Sequence, residues 1–279
     1  MGTHSSWIEK IQSLPVLPQI AMRVTERMQS PTATLPEISD LIKSDVGLSA
    51  KVLRLANSSY YSIPGGVSEV SKALHYLGFT TIAQIVLTSS VFGSFKTQGI
   101  REFPLAPFWL HSFAVGQLAE MTARTLQLEN ASDAFIGGLI HDVGKLILLE
   151  IDPDHLARVV RLAREKNLSF LAAENELGDS THVELGLELA RHWKLPSTIQ
   201  SAIQFHHSGK SDRSCNLIQW ANLRVNFRKL GNSGNHDPAL ESAMNDSQAR
   251  LGLGASALDA LEIHFQKEFE KAGAILSGH

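Results

Sequence analysis

Cysteine is almost absent from this chain. Cys215 is the only one among 279 residues, which excludes an internal disulfide and a thiolate zinc cluster and suits a reducing compartment. Long apolar runs are absent as well. No stretch reaches the roughly 18 consecutive apolar residues that a membrane-spanning helix needs. The start, MGTHSSWIEK, has no cationic segment leading into an apolar one. The expectation is a soluble, cytoplasmic protein with no membrane partner. Positive charge is scarce too: 25 Lys and Arg against 28 Asp and Glu leave a net charge of -3. Direct nucleic-acid binding is therefore not expected, because holding phosphates takes concentrated Lys and Arg. Arg158, Arg161 and Arg164 recur every third residue, which describes a solvated helix face. There is no internal repeat, no low-complexity tract and no alternation of strands with helices.

What is present is hydrophobic content of 43%, ample for a core, arranged almost throughout with helical period. The expected fold is all-α, a multi-helical bundle with an N-terminal helical lobe. Short helices are expected over 7–14 and 19–28, separated by the prolines of LPVLP. A helix over 35–45 follows, with Thr34 as cap and Pro36 in its first turn. Helices over 45–58, 70–77 and 81–92 complete the lobe, the last two separated at Gly78. The polar link over 93–107 is the best boundary. This gives a lobe over 1–100, a bundle over 101–230, and a C-terminal loop and helix over 231–279 packing on the bundle. Bundle helices are expected over 108–126, 131–149, 152–166, 169–177, 181–192, 197–207 and 215–227, and a last one over 256–274. The segment before Gly254 is weakly patterned.

Histidine is plentiful, at 12 residues. The run AFIGGLIHDVGKLILL, residues 134–149, places Gly138, His141, Asp142 and Lys145 together beside an apolar arc. Gly137, Gly138 and Gly144 each cost about 1 kcal/mol relative to alanine inside a helix, so another backbone or a ligand is expected close by. On other helices His111 shares a face with Phe108, Val115 and Leu118. His182 sits within a Thr181–Glu184 capping box. His206 continues the spacing of Ile199, Ala202 and Ile203, with His207 beside it. A lone histidine on an apolar face is usually a satisfied core residue. Five inward imidazoles and a carboxylate without a common partner would cost several kcal/mol of desolvation, which a divalent ion removes. Imidazole with carboxylate suits Fe, Mn, Zn or Ni.

His111, His141-Asp142 with Gly144-Lys145, His182 with Gly186, and His206-His207 form a pattern that resembles the HD superfamily of metal-dependent phosphohydrolases. In the first lobe, LPVLPQIAMRV, LPEISDLIKSDVGLSAKVLRLANSSYYS and SKALHYLGFTTIAQIVL resemble the HDOD domain, a helical module of bacterial signalling related to HD and HD-GYP proteins. The resemblance covers about residues 10 to 225. It implies one or two divalent ions on His111, His141, Asp142, His182, His206 and His207, with Asp142 bridging. It also implies catalytic roles for Asp142 and Lys145, the latter contacting a substrate phosphate or activated water. Two departures stand out. Asn222 occupies the place of a final aspartate ligand, and the Gly-Tyr-Pro segment expected after His206-His207 is missing. Two functions follow. One is a signalling module, non-catalytic or weakly active, that keeps a metal and binds another signalling protein. The other is a phosphohydrolase acting on a nucleotide or cyclic dinucleotide, with a phosphate-containing small molecule as its partner.

Overall fold

The structure, a computed structural model, describes residues 23–24, 27, 30, 32–57, 63, 65–95, 98–128, 131–209, 212–234 and 240–276. The helix expected over 7–14, and all but residues 23, 24 and 27 of that over 19–28, lie outside this set. The described residues hold thirteen helices and no strand. They fall into two compact units, one drawn from residues 15–95 and 268–279, the other from residues 96–267.

The smaller unit contains α1 (Leu35–Lys43), α2 (Val46–Ala56) and α3 (Val70–Ser94). Pro36 lies in the first turn of α1, and the amide of Thr34 donates to Glu37 Oε2 at 3.1 Å. Ile38, Ile42, Val52, Leu74, Ile82 and Val86 form its core. Asn57 closes the link between α2 and α3 by pairing both of its amide groups with Val67 at 2.7 Å. Gly78, at φ 75° and ψ 166°, interrupts α3, so the segments over 70–79 and 81–94 turn by 105°. Only glycine takes that backbone without strain. The separation at Gly78 is thus as the sequence predicts.

The larger unit contains α4 (Leu105–Thr125), α5 (Ala131–Ile140), α6 (Val143–Ile151), α7 (Pro153–Glu165), α8 (Phe170–Leu177), α9 (His182–His192), α10 (Ser197–Phe205), α11 (Arg213–Phe227), α12 (Leu240–Leu251) and the residues of α13 (Ala255–Leu276) up to Lys267. Two close approaches shape it. A Cβ on Gly138 would lie 2.7 Å from the Cα of Gly116, so α4 and α5 meet backbone to backbone. A Cβ on Gly144 would lie 1.8 Å from the carbonyl oxygen of His182, which fixes α6 against the start of α9. Gly138 and Gly144 therefore admit neighbouring backbones, and Gly137 the side chain of Ala202. Among the described residues no single helix is long and apolar enough to cross a membrane.

The structure departs from the sequence expectation at three places. The predicted helix over 131–149 is two helices, because His141 and Asp142 form a turn between α5 and α6. The His141 ring bonds the Gly138 carbonyl at 2.7 Å, the group that a continuing helix would offer to the amide of Asp142. The predicted helix over 197–207 ends at Phe205 for the same reason, since the His206 ring bonds the Ile203 carbonyl at 2.7 Å. His141-Asp142 and His206-His207 thus both sit in turns. Third, the weakly patterned segment before Gly254 contains α12. Its buried stripe is Met244, Ser247 and Leu251, and the serine that breaks the apolar pattern donates to the Asn216 carbonyl at 3.3 Å.

Candidate metal centre

The larger unit brings all six candidate ligands together. Asp142, His182, His206 and His207 form one group, and His111, His141 and Asp142 a second, each with ligand atoms within 4.8 Å of one another. Asp142 belongs to both. His111, His141, Asp142, Lys145, His182 and His206 are buried to 1% exposure or less, while His207 is half-buried. His207 is therefore the most exposed of the six candidate ligands.

The hydrogen bonds fix how the imidazoles face. His141 and His206 engage carbonyl oxygens through Nδ1, and a carbonyl can only accept, so in the neutral ring each Nδ1 carries the proton and each Nε2 presents a lone pair. His182 does the same with a carboxylate: its Nδ1 lies 2.6 Å from Glu174 Oε2, and its backbone amide donates to Glu174 Oε1 at 2.8 Å. The Nε2 atoms then converge. Those of His182 and His206 each lie 3.4 Å from Asp142 Oδ1. His182 Nε2 is also 3.0 Å from His207 Nε2 and 3.4 Å from His206 Nε2. His141 Nε2 lies 3.2 Å from Asp142 Oδ2. Lone pairs held against each other and against a carboxylate repel unless a cation lies among them. Neither ring nitrogen of His111, nor His141 Nε2, nor Asp142 Oδ1 has a hydrogen-bond partner although all are buried. Such orphaned acceptors are the signature of ligand atoms.

The protonation states suit ligands. Burial, then the neighbouring His141 charge, push the His111 pKa down to about 3, against smaller upward pulls that include Asp142 and the Asn222 side chain. Burial likewise lowers His182 and His207 well below the usual imidazole range and lowers His206. These rings are neutral near pH 7, as ligation requires. For Asp142 burial acts upward, but the neighbouring His141 and the Lys145 ammonium outweigh it and hold the carboxyl well below its usual range.

Lys145 is fully buried. Its ammonium donates to Asp142 Oδ2 at 2.8 Å and to the Ser233 carbonyl at 3.1 Å, and lies 4.3 Å from the centre of the Phe170 ring. Burial lowers its pKa, with Asp142 acting in the opposite direction. The loop over 231–234 that supplies Ser233 is pinned by Asn232, whose amide donates to the Pro107 carbonyl at 2.8 Å. Gly231 there fits against the backbone of His111. Asn222 is 3% exposed and accepts from Asn226 at 2.9 Å. Its side chain acts on His111, and it stands at the position where the resemblance to HD-GYP sites implies an aspartate.

Sequence reasoning missed Glu174. It is 1% exposed, and burial raises its pKa to about 8 despite the His182 amide bond. One signal was available: on α8 it stands four residues after the buried Phe170 and one after the buried Ala173, an inward position for an acid.

A model of the HDOD domain matches residues 14–209. This chain belongs to the HDOD domain family. An HDOD domain protein of unknown function from Geobacter sulfurreducens has a similar structure, with a TM-score of 0.77 at 26% identity, covering 97% of this chain and 96% of that one. A candidate phosphohydrolase from Shewanella amazonensis SB2B matches with a TM-score of 0.70 at 26% identity, over 98% and 99% of the two chains. Among curated proteins, an uncharacterized protein of Treponema pallidum (strain Nichols) is 24% identical over 205 residues. Ribonuclease Y of Mycoplasmoides gallisepticum is 30% identical over 165 residues. The matched segments span only 39% and 24% of those two proteins. The HDOD module, the all-helical HD-like fold and a His/Asp cluster able to hold a metal ion thus stand on independent grounds.

Proposed function

We propose that this chain is a non-catalytic HDOD signalling module, cytoplasmic, whose bundle is held by one divalent transition ion and whose partner is another signalling protein. The observation that carries the reading is the position of Lys145. Its ammonium occupies Asp142 Oδ2, the oxygen that would otherwise serve an ion in the group of His111 and His141. Asp142 Oδ1 stays with His182, His206 and His207, a set of four ligands of the kind that closes a structural site. Fe, Mn, Zn or Ni held there would supply the positive charge that four converging acceptors lack.

The same geometry opposes turnover. Lys145, which the family resemblance assigns to a substrate phosphate, is shut in by Asp142, the Ser233 carbonyl and Phe170. A phosphoester would have to displace the loop over 231–234 and break a buried ion pair to reach it. Removing one partner of such a pair costs about 3–5 kcal/mol. The hydrolase reading keeps one observation in its favour, the two ligand groups joined by a shared carboxylate, which is the plan of a two-metal site.

Elemental analysis of protein purified without a histidine tag tests the first part, with about one transition ion per chain expected. Failure to take up any ion would overturn the metal assignment. A panel of phosphomonoesters, nucleotides and cyclic dinucleotides, tried with Mn, Fe, Zn and Ni, tests the second. No turnover is expected, and turnover that His141→Ala abolishes would establish the hydrolase instead.

A further inference from the structure

The ligand at the mouth of the cluster is held from a distance. His207 belongs to the turn that closes α10, and its carbonyl accepts a hydrogen bond from Gln219 Nε2 on α11 at 2.9 Å. The other end of that amide, Gln219 Oε1, accepts from Arg250 Nη2 on α12 at 2.8 Å. Arg250 Nε reaches Asn216 Oδ1, one turn earlier on α11, at 3.3 Å. A guanidinium can only donate, so it forces the oxygen of Gln219 toward itself and leaves the NH2 aimed at His207. The turn is pressed onto the same two amides. A Cβ on Gly209, at φ 56°, would lie 2.4 Å from Gln219 Oε1 and 2.7 Å from Asn216 Oδ1.

We propose that Arg250 is a positioning residue for His207, acting through Gln219, so that α12 governs how firmly the His182–His206–His207 group holds its ion. The inference rests on the metal reading above. His207 suits this control because its neighbours His182 and His206 are locked through their own Nδ1 atoms, whereas a backbone bond carries the placement of His207. It is also the half-buried ligand. A protein that pulls α12 outward would loosen the ion without touching it.

Two variants separate the contributions. Gln219→Glu keeps an acceptor for Arg250, and with it the link from α11 to α12, but removes the donor to His207. Arg250→Ala keeps the glutamine and frees its orientation. In zinc-loaded full-length protein challenged with excess chelator, Gln219→Glu is expected to release zinc about 10–100-fold faster, the usual effect of removing a group that orients a ligand. Arg250→Ala should release it faster than wild type as well. Arg228→Ala, which breaks the ion pair between the C-terminal cap of α11 and Glu262 on α13, should release zinc at the wild-type rate. A second readout needs no metal: in the metal-free protein, carbethoxylation of His207, mapped by mass spectrometry, should be faster in both clamp variants. Wild type that binds no zinc would overturn the metal reading, and the carbethoxylation result would then decide the clamp alone. Wild type that binds zinc, with unchanged release and unchanged His207 labelling in both variants, would overturn the clamp.

Discussion

Adding one methyl group at Gly144 should empty the metal site before it unfolds the protein. The new Cβ would stand 1.8 Å from the carbonyl oxygen of His182, 2.6 Å from its carbonyl carbon and 2.8 Å from its Cα. All three atoms are backbone, so no rotamer change relieves the contact. Relief to an ordinary contact of about 3.4 Å requires α6 and α9 to part by more than an ångström, and His182 opens α9. Metal–ligand distances tolerate about 0.2 Å, so a shift of that size removes His182 from the ligand set. The energetic cost of overpacking is smaller in proportion, typically about 1–3 kcal/mol against a total stability of about 5–15 kcal/mol. Gly144→Ala is therefore expected to stay folded, with its melting temperature lowered by about 2–12 °C at the ~2–4 °C per kcal/mol of a unit this size. Its transition-metal content should fall to a small fraction of wild type. The assays are a thermal melt by circular dichroism and elemental analysis of the same sample. Gly93→Ala serves as control. Gly93 lies within α3 with nothing within 4 Å of an added Cβ, and alanine there should stabilise by about 0.5–1 kcal/mol. Wild-type metal content in Gly144→Ala would refute the contact between α6 and α9 and, with it, the placing of His182.

Three further substitutions probe the cluster from other sides. Glu174→Gln leaves one oxygen to serve the two His182 donors that two oxygens serve now, so metal affinity measured by chelator competition should fall about 10–100-fold; an unchanged constant would mean that Glu174 does not orient the ring. Asn222→Asp adds a carboxylate beside His111 and should raise occupancy from one ion toward two by elemental analysis, whereas unchanged stoichiometry would remove Asn222 from the site. Lys145→Met strips the buried Asp142 carboxylate of its ammonium and should destabilise the metal-free protein by about 3–5 kcal/mol in a denaturant titration. Zinc should restore part of that loss, and equal stability of variant and wild type without metal would contradict the buried pair.

How much of this was legible in the sequence depended on whether the signal was local. Helices with an unbroken apolar stripe, such as α4 and α9, were visible from period alone, and the Thr181–Glu184 box marked the start of α9 to the residue. The inward histidines were visible because imidazole at a core position has to be explained. The break at His141-Asp142 was not visible, because it comes from a ring competing for its own helix's carbonyl, and the residues around it keep a continuous apolar pattern. Gln219 and Arg250 left no trace for a related reason. An amide that faces a carbonyl across a helix–helix gap has the same composition as one that faces water. α12 stayed hidden because its inward stripe contains Ser247, whose partner on α11 lies thirty-one residues away in sequence.

The balance of charge supports the proposed single ion over two for this particular set of residues. The neutral imidazoles contribute ligands without contributing charge. The other buried titratable groups at the cluster are Asp142, Glu174 and Lys145. With Glu174 neutral near pH 7, as its raised pKa requires, one divalent ion beside ionised Asp142 and protonated Lys145 leaves two excess positive charges, whereas a second leaves four in a medium where unpaired charge costs several kcal/mol each. An aspartate at position 222 would lower that excess, and this chain has Asn222. Lys145, seated on the oxygen a second ion would use, stands in for that ion's charge while lacking its ability to bind water as a nucleophile. On the proposed reading, the same two residues, Asn222 and Lys145, carry the site away from hydrolysis and toward a single ion held by four ligands. In such a site the variable left for regulation is how firmly the half-buried His207 is kept in place.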